Sequence, residues 1–425
     1  MKDPSAGHAQ DVRRSMEAQG FLVTRGFIDL HAHLREPGFE DSETIASGAQ
    51  AALRGGFTTV CAMPNTEPAI DSPGLVAEVI VRGRAAGGAR VLPIATITRG
   101  RRGKELADLV ELAAAGAVAF SDDGSPVDDG RLFRHALEYA RTKDLLVIEH
   151  PQDTTLSGQG VMHDGSVSAL LGLPGMPNTA EESAVARAIL VAGAVEARIH
   201  LTHISTEGSL DLIRAAKARG IRVTCDVTPH HLALTDDWVG GERRFAWERD
   251  GQDESDIRAS TQGTRGTRGT PYDSNTKMNP PLRTVRDVRA LWSGLADGTI
   301  DAIATDHAPH ASVRKEVEFD QAAFGISGLE TALSLVLGGV RAGWCDLDTA
   351  LRALTDGPAR VLRLTPSDDD WIAIDRDATW TVTAEGLATL GKNTPLQGRD
   401  LVGRVVAAAV GGEVRFDGGS RAAAR

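Results

Sequence analysis

Gly26-Phe27-Ile28-Asp29-Leu30-His31-Ala32-His33 is a short apolar run that ends in two histidines one residue apart. A run of this kind reads as a buried strand, and a strand sends alternate side chains to the same face. His31 and His33 then point the same way, and two imidazoles at that spacing can chelate one metal ion. Alone, a His-x-His is weak evidence, because polar residues at a strand end are ordinary. The rest of the chain gives it weight.

Further apolar runs follow at 58–63, 90–95, 117–120, 145–148, 198–201, 222–225 and 299–304, with helical patterns between them. Strands alternating with helices in this way predict a closed parallel barrel. In that fold the reactive side chains sit at the C-terminal ends of the strands. His150 stands at such an end, and so do His203 and Asp306. An Asp that closes an apolar strand at a barrel mouth can bind metal and carry protons. His200, three residues before His203, reads as a packed or hydrogen-bonded histidine. His307 should face away from Asp306. His8, His135 and His163 read as surface or helix histidines, and His230 and His231 as structural residues or part of the site rim. The segment 371–419 alternates and turns like a small β domain.

The chain of 425 residues carries a formal net charge of -12 and has no Lys/Arg-rich run, so a nucleic-acid partner is not expected. An anionic substrate would need local cations. Cys61, Cys225 and Cys345 are sparse and form no CxxC pair, which argues for free thiols in a reducing compartment and against a thiolate zinc site. The first twenty residues include Asp3, Asp11 and Glu17 and do not read as a signal peptide. No run approaches the roughly 18 apolar residues of a membrane span. A cytoplasmic enzyme without a membrane partner is expected. The segment 240–271 contains the low-complexity tract Ser260 to Thr270 and reads as a flexible surface insertion, with Trp238, Phe245 and Trp247 as candidate anchors for its first half.

The motifs together resemble the type I dihydroorotases of the amidohydrolase superfamily. The matching stretches include His31-Ala32-His33-Leu34-Arg35-Glu36-Pro37-Gly38, Met63-Pro64-Asn65-Thr66 and Ser121-Asp122-Asp123-Gly124. Glu149-His150, Thr202-His203-Ile204-Ser205 and Asp226-Val227-Thr228-Pro229-His230-His231 follow. Asn279-Pro280-Pro281-Leu282-Arg283, Thr305-Asp306-His307-Ala308-Pro309-His310 and Gly328-Leu329-Glu330-Thr331 complete the set, in family order.

That resemblance implies an α/β fold, a metal-dependent (β/α)8 TIM-like barrel with a small β-sandwich domain formed by the chain ends. The expected division is 1–22 as a shortened remnant of that β domain, 23–365 as the barrel and 366–425 as its C-terminal part. The implied reaction is the reversible, zinc-dependent cyclisation of N-carbamoyl-L-aspartate to L-dihydroorotate plus water, in pyrimidine biosynthesis. His31, His33, Asp123, His150, His203 and Asp306 match ligands of one or two Zn2+ ions, and Asp306 also matches the general base and acid. Asp123 takes the place of the bridging lysine of many relatives; Asp122 is the competing choice. Arg35, Asn65, Asn279, His310, Phe324 and Gly325 match positions that hold the substrate. Association with aspartate transcarbamoylase, and self-association, are implied by resemblance alone. Two other readings stay open. One is another cyclic amidase, allantoinase-like or hydantoinase-like, although such relatives usually carry the bridging lysine. The other is a non-catalytic scaffold for the transcarbamoylase, although such homologues typically lose metal ligands.

Overall fold

The computed structural model describes residues 4–249 and 269–418. The strands, in chain order, are β1 (Leu22–Arg25), β2 (Phe27–Ala32), β3 (Phe57–Ala62), β4 (Arg90–Ala95), β5 (Ala119–Phe120), β6 (Val147–Glu149), β7 (Met162–His163) and β8 (Gly175–Met176). They continue with β9 (Ile199–Leu201), β10 (Val223–Val227), β11 (Ala302–Ile303), β12 (Trp371–Thr381), β13 (Asp400–Val410) and β14 (Glu413–Asp417).

Eight strands form one parallel sheet in the order β11-β10-β9-β6-β5-β4-β3-β2. The backbone of the loop after β11 closes it on β2: His33 N donates to His307 O at 2.8 Å, and Thr305 N donates to the Asp29 carboxylate at 2.8 Å. Each barrel strand is followed by a helix; those after β2, β5 and β9 are Ile45–Gly55, Gly130–Arg141 and Glu207–Ala218. Their starts are written locally: the side chains of Thr44, Asp129 and Thr206 each accept from a first-turn backbone N–H.

Leu30, Cys61, Ile94, Ala119, Ile148 and Ala302 come from six different strands and form one buried cluster, which only the barrel interior can assemble. Between Asp29 and Ala32 strand β2 gains one residue on β3. A bulge of that kind re-aims the side chains beyond it. Leu30 therefore fills the interior while His31 and His33, past the shift, meet other side chains at the mouth.

The small β domain is a four-stranded antiparallel sheet, β1-β12-β13-β14. Alternation along β12 splits its two faces. Ile372 and Ile374 join the main core, whereas Trp371 and Ala373 pack with Met16 and Phe21. The N-terminal segment thus enters this domain as a helix, α1 (Pro4–Ala18), followed by strand β1.

One expectation needs revision. His163 is not a surface histidine: it is buried on β7, and burial beside Arg283 pushes its imidazole down to about 4. The insertion expected at 240–271 lies for the most part outside the described residues, and its described start is anchored by the aromatic residues named for it. Trp238 and Phe245 are buried in a cluster with Met278, Leu282 and Leu396, and Trp238 Nε1 donates to Arg244 O at 2.8 Å. None of the described helices is long and apolar enough to cross a membrane.

Candidate metal centre

The side chains singled out at five strand ends converge at one mouth of the barrel. His31 and His33 come from the end of β2, Asp123 follows β5, His150 follows β6, His203 follows β9 and Asp306 follows β11. The four histidines and Asp123 are buried, and Asp306 is partly exposed. His203 and Asp306 take φ values of 42° and 45°, and Arg35 takes 62°. Non-glycine residues in this left-handed region store local strain, which the surrounding bonds must hold.

His31, His33 and Asp123 form one group of converging ligand atoms, and Asp123, His150 and His203 form a second. Asp123 belongs to both. His31 Nε2 lies 3.3 Å from His33 Nε2, 3.5 Å from Asp123 Oδ1 and 3.3 Å from Asp306 Oδ1. His150 Nδ1 lies 2.8 Å from His203 Nε2 and 3.4 Å from Asp123 Oδ1. Ligand atoms arranged tetrahedrally about one zinc-sized ion stand roughly 3.3 Å apart. The first group matches that spacing.

Outer partners show which nitrogens face the centre. The Thr202 hydroxyl donates to Asp226 Oδ2 at 3.0 Å, so it accepts from His31 Nδ1 at 2.8 Å and leaves Nε2 bare. Asn65 Oδ1 accepts from His33 Nδ1 at 2.7 Å, and Gln152 Oε1 accepts from His150 Nε2 at 2.8 Å. Three imidazoles therefore turn their other ring nitrogens toward two carboxylates. Partners of this kind fix the ring and tautomer of a metal-binding histidine. Asp123 Oδ1 is buried and has no hydrogen-bond partner among the described residues. Imidazole nitrogens and a carboxylate oxygen without a hydrogen-bond partner, packed together, are the donor set of a cation site.

The electrostatics agree. Burial opposes charge on His31, but Asp123 and Asp306 outweigh it and push the imidazole up to about 9. Burial would raise the Asp306 carboxyl, yet His31, His33 and His203 hold it well below the usual carboxylate range. The cluster demands positive charge. Asp122, the neighbour of Asp123, turns elsewhere: it accepts from Ile97 N at 2.8 Å and Thr98 N at 3.1 Å.

The positions expected to hold substrate lie beside this centre. Arg35 Nε donates to Pro309 O at 3.1 Å, and its Nη2 stands 3.3 Å from His310 Nε2. His310 Nε2 donates to Phe324 O at 2.8 Å, so guanidinium and imidazole face each other as donors. Burial and Arg35 push His310 down to about 3. Asn279 Nδ2 donates to Gln152 Oε1 at 2.9 Å. His200 bonds Asp226 Oδ2 and Thr224 Oγ1, both at 2.8 Å, and takes no place in the centre. His307 faces Glu43 and Gly328 N. Gln152, Thr202 and Asp226 escaped the sequence reading. Gln152 could have been sought two residues past His150; Thr202 and Asp226 fall in stretches that match the family, but the sequence assigns them no role there.

The family model described as Dihydro-orotase-like matches residues 20–209. The dihydroorotase of Anaeromyxobacter sp. (strain K) is 48% identical over 96% of this chain and 89% of its own. That of Pelotomaculum thermopropionicum is 48% identical over 94% of this chain and 88% of its own. Among solved structures, the L-hydantoinase of Arthrobacter aurescens superposes with a TM-score of 0.77 at 22% identity, covering 95% of this chain and 87% of that one. A D-hydantoinase from Thermus sp. gives 0.71 at 22%, covering 94% and 86%. The solved structures share the fold, and the sequence relatives place the function: the chain belongs to the dihydroorotase family of cyclic amide hydrolases.

Proposed function

We propose that the centre catalyses the reversible cyclisation of N-carbamoyl-L-aspartate to L-dihydroorotate plus water, with His31, His33, Asp123, His150, His203 and Asp306 holding one or two zinc ions. The observation that carries this reading is the set of imidazole nitrogens facing two carboxylates, with the Arg35 guanidinium alongside. When bound, a divalent ion supplies Lewis acidity, which polarises a carbonyl oxygen and lowers the pKa of water toward neutrality.

In the ring-opening direction water adds to the ring amide carbonyl and the carbon–nitrogen bond breaks. Asp306, held ionised by its histidine neighbours, takes the proton from that water and delivers it to the departing nitrogen. Ring closure runs the same transfers backward and releases water. Arg35 offers a planar fork to the substrate carboxylate. His310 and Asn65 stand beside it; Asn65 spends its oxygen on His33 and keeps its amide N–H groups for the ligand. Asn279 and the Phe324-Gly325 loop line the rest.

Zinc suits a histidine and carboxylate set. Association with an aspartate transcarbamoylase, self-association and a cytoplasmic setting belong to the same proposal and rest on the family resemblance. The test is to purify the protein, count bound metal per chain, and compare ring opening of dihydroorotate, hydantoin and allantoin. The proposal expects dihydroorotate to be preferred. Preference for hydantoin or allantoin would contradict it, and bound zinc with no turnover even beside the transcarbamoylase would favour a scaffold.

A further inference from the structure

The loop that carries Phe324 and Gly325 is held by a lysine that the reaction does not use. Lys315 is only 4% exposed. Its Nζ donates to Ala323 O at 2.7 Å and to Gly325 O at 3.1 Å. These carbonyls flank Phe324, and the carbonyl between them, Phe324 O, accepts from His310 Nε2. Three consecutive carbonyls are thus engaged, two by Lys315 and one by His310. On the other side, Gly325 N donates to Lys277 O at 2.9 Å, and Lys277 Nζ sits 4.4 Å from the centre of the Phe324 ring.

The loop has little room to move. Gly325 takes φ 126°, and a Cβ there would fall 2.5 Å from the Ala308 methyl. Asn393 Nδ2 donates to Ala308 O at 3.0 Å and Gly325 O at 3.1 Å, while its Oδ1 accepts from His310 N at 2.8 Å. Burying an ammonium is costly unless its donors are satisfied. Burial pushes the Lys315 ammonium down to about 7, with Asp273 opposing and Lys277 adding to the shift. An amine that loses one proton keeps two N–H donors, enough for both carbonyls, so the clasp works in either state.

We propose that Lys315 is a positioning residue for this reaction: by clasping the Ala323 and Gly325 carbonyls it sets Phe324 and His310 where the substrate is held. The inference rests on the reading that this loop faces the substrate. Asn393 steadies the same loop from the opposite side.

Steady-state kinetics of the full-length, metal-loaded chain test it, with melting temperature and metal content measured on each variant. Lys315→Met should raise KM for dihydroorotate about tenfold or more, leave kcat within about threefold, and leave metal content unchanged, the signature of lost binding without lost chemistry. Lys315→Arg keeps donors and should recover part of that loss. Phe324→Ala tests the underlying reading separately. If Phe324→Ala raises KM and Lys315→Met does not, the positioning role is overturned while the site reading stands. If Phe324→Ala leaves KM unchanged, the loop does not face the substrate, and both fall. Joint loss of kcat, metal and melting temperature in a folded Lys315→Met would show a general structural role and overturn the proposal. Should that variant fail to fold, Asn393→Ala probes the same clasp: a raised KM at near-normal kcat supports it, and an unchanged KM overturns it.

Discussion

The barrel interior has two unlike sectors. On one side, Leu30, Cys61, Ile94, Ala119, Ile148 and Ala302 form an apolar plug. On the other, β9 and β10 supply a polar chain in which His200 bonds Asp226, Asp226 accepts from the Thr202 hydroxyl, and Thr202 accepts from His31. Asp226 also accepts from His203 N at 2.7 Å, so one buried carboxylate braces ligands of both groups. The apolar sector fills space by contacts that many residues could make. The polar sector fixes two imidazoles by bonds that few residues could replace. Stability should reside mainly in the first, and metal affinity in the second.

The largest effect lies where the sectors meet the substrate. Asp306→Ala should lower kcat by about 10²–10⁴-fold, the usual contribution of a positioned proton carrier, while the other ligands keep some metal bound. Near-normal turnover in a metal-loaded variant would remove Asp306 from its role. Within the plug, Ile94→Ala should cost about 2–5 kcal/mol in denaturant unfolding and leave metal affinity close to that of the parent. A large loss of affinity there would erase the distinction between the sectors. Asp226→Asn should do the reverse, weakening metal binding about 10–100-fold in chelator competition, more than it lowers stability.

The smallest effect lies outside both sectors. His163 waits until about 4 to take a proton in the folded chain, against an ordinary value of 6.5. The unfolded chain therefore binds more protons between those values, and stability falls as the pH drops from 6.5 toward 4. His163→Asn should flatten part of that slope in acid unfolding; an unchanged slope would show that His163 does not supply it.

Much of the fold was legible because the barrel strands are short apolar runs, and such runs carry their own signal. The proposed ligands stood out because each ends one of those runs: His150 after β6, His203 after β9, Asp306 after β11. What stayed hidden depends on partners distant in sequence. Asp226 opens a stretch that matches the family, yet its role shows only where the parallel neighbour β9 gives it His200 and Thr202 to bond. Asp122 and Asp123 are adjacent and equivalent in composition; the fold separates them by offering Asp122 the backbone of residues 97–98. The β2 bulge is equally silent in sequence, since strict alternation would set Leu30 and His31 on opposite faces. Trp238 and Phe245 could be named as anchors, but not their partners Leu387 and Leu396, more than a hundred residues away.

If one centre, built from both groups of proposed ligands, performs the reaction, activity must follow bound metal. The experiment is to strip the purified protein with a chelator and titrate zinc back while following both dihydroorotate ring opening and metal bound per chain. Activity should disappear on stripping and return in step with occupancy, reaching its plateau at one or two ions per chain. Turnover that survives complete removal of metal would contradict it.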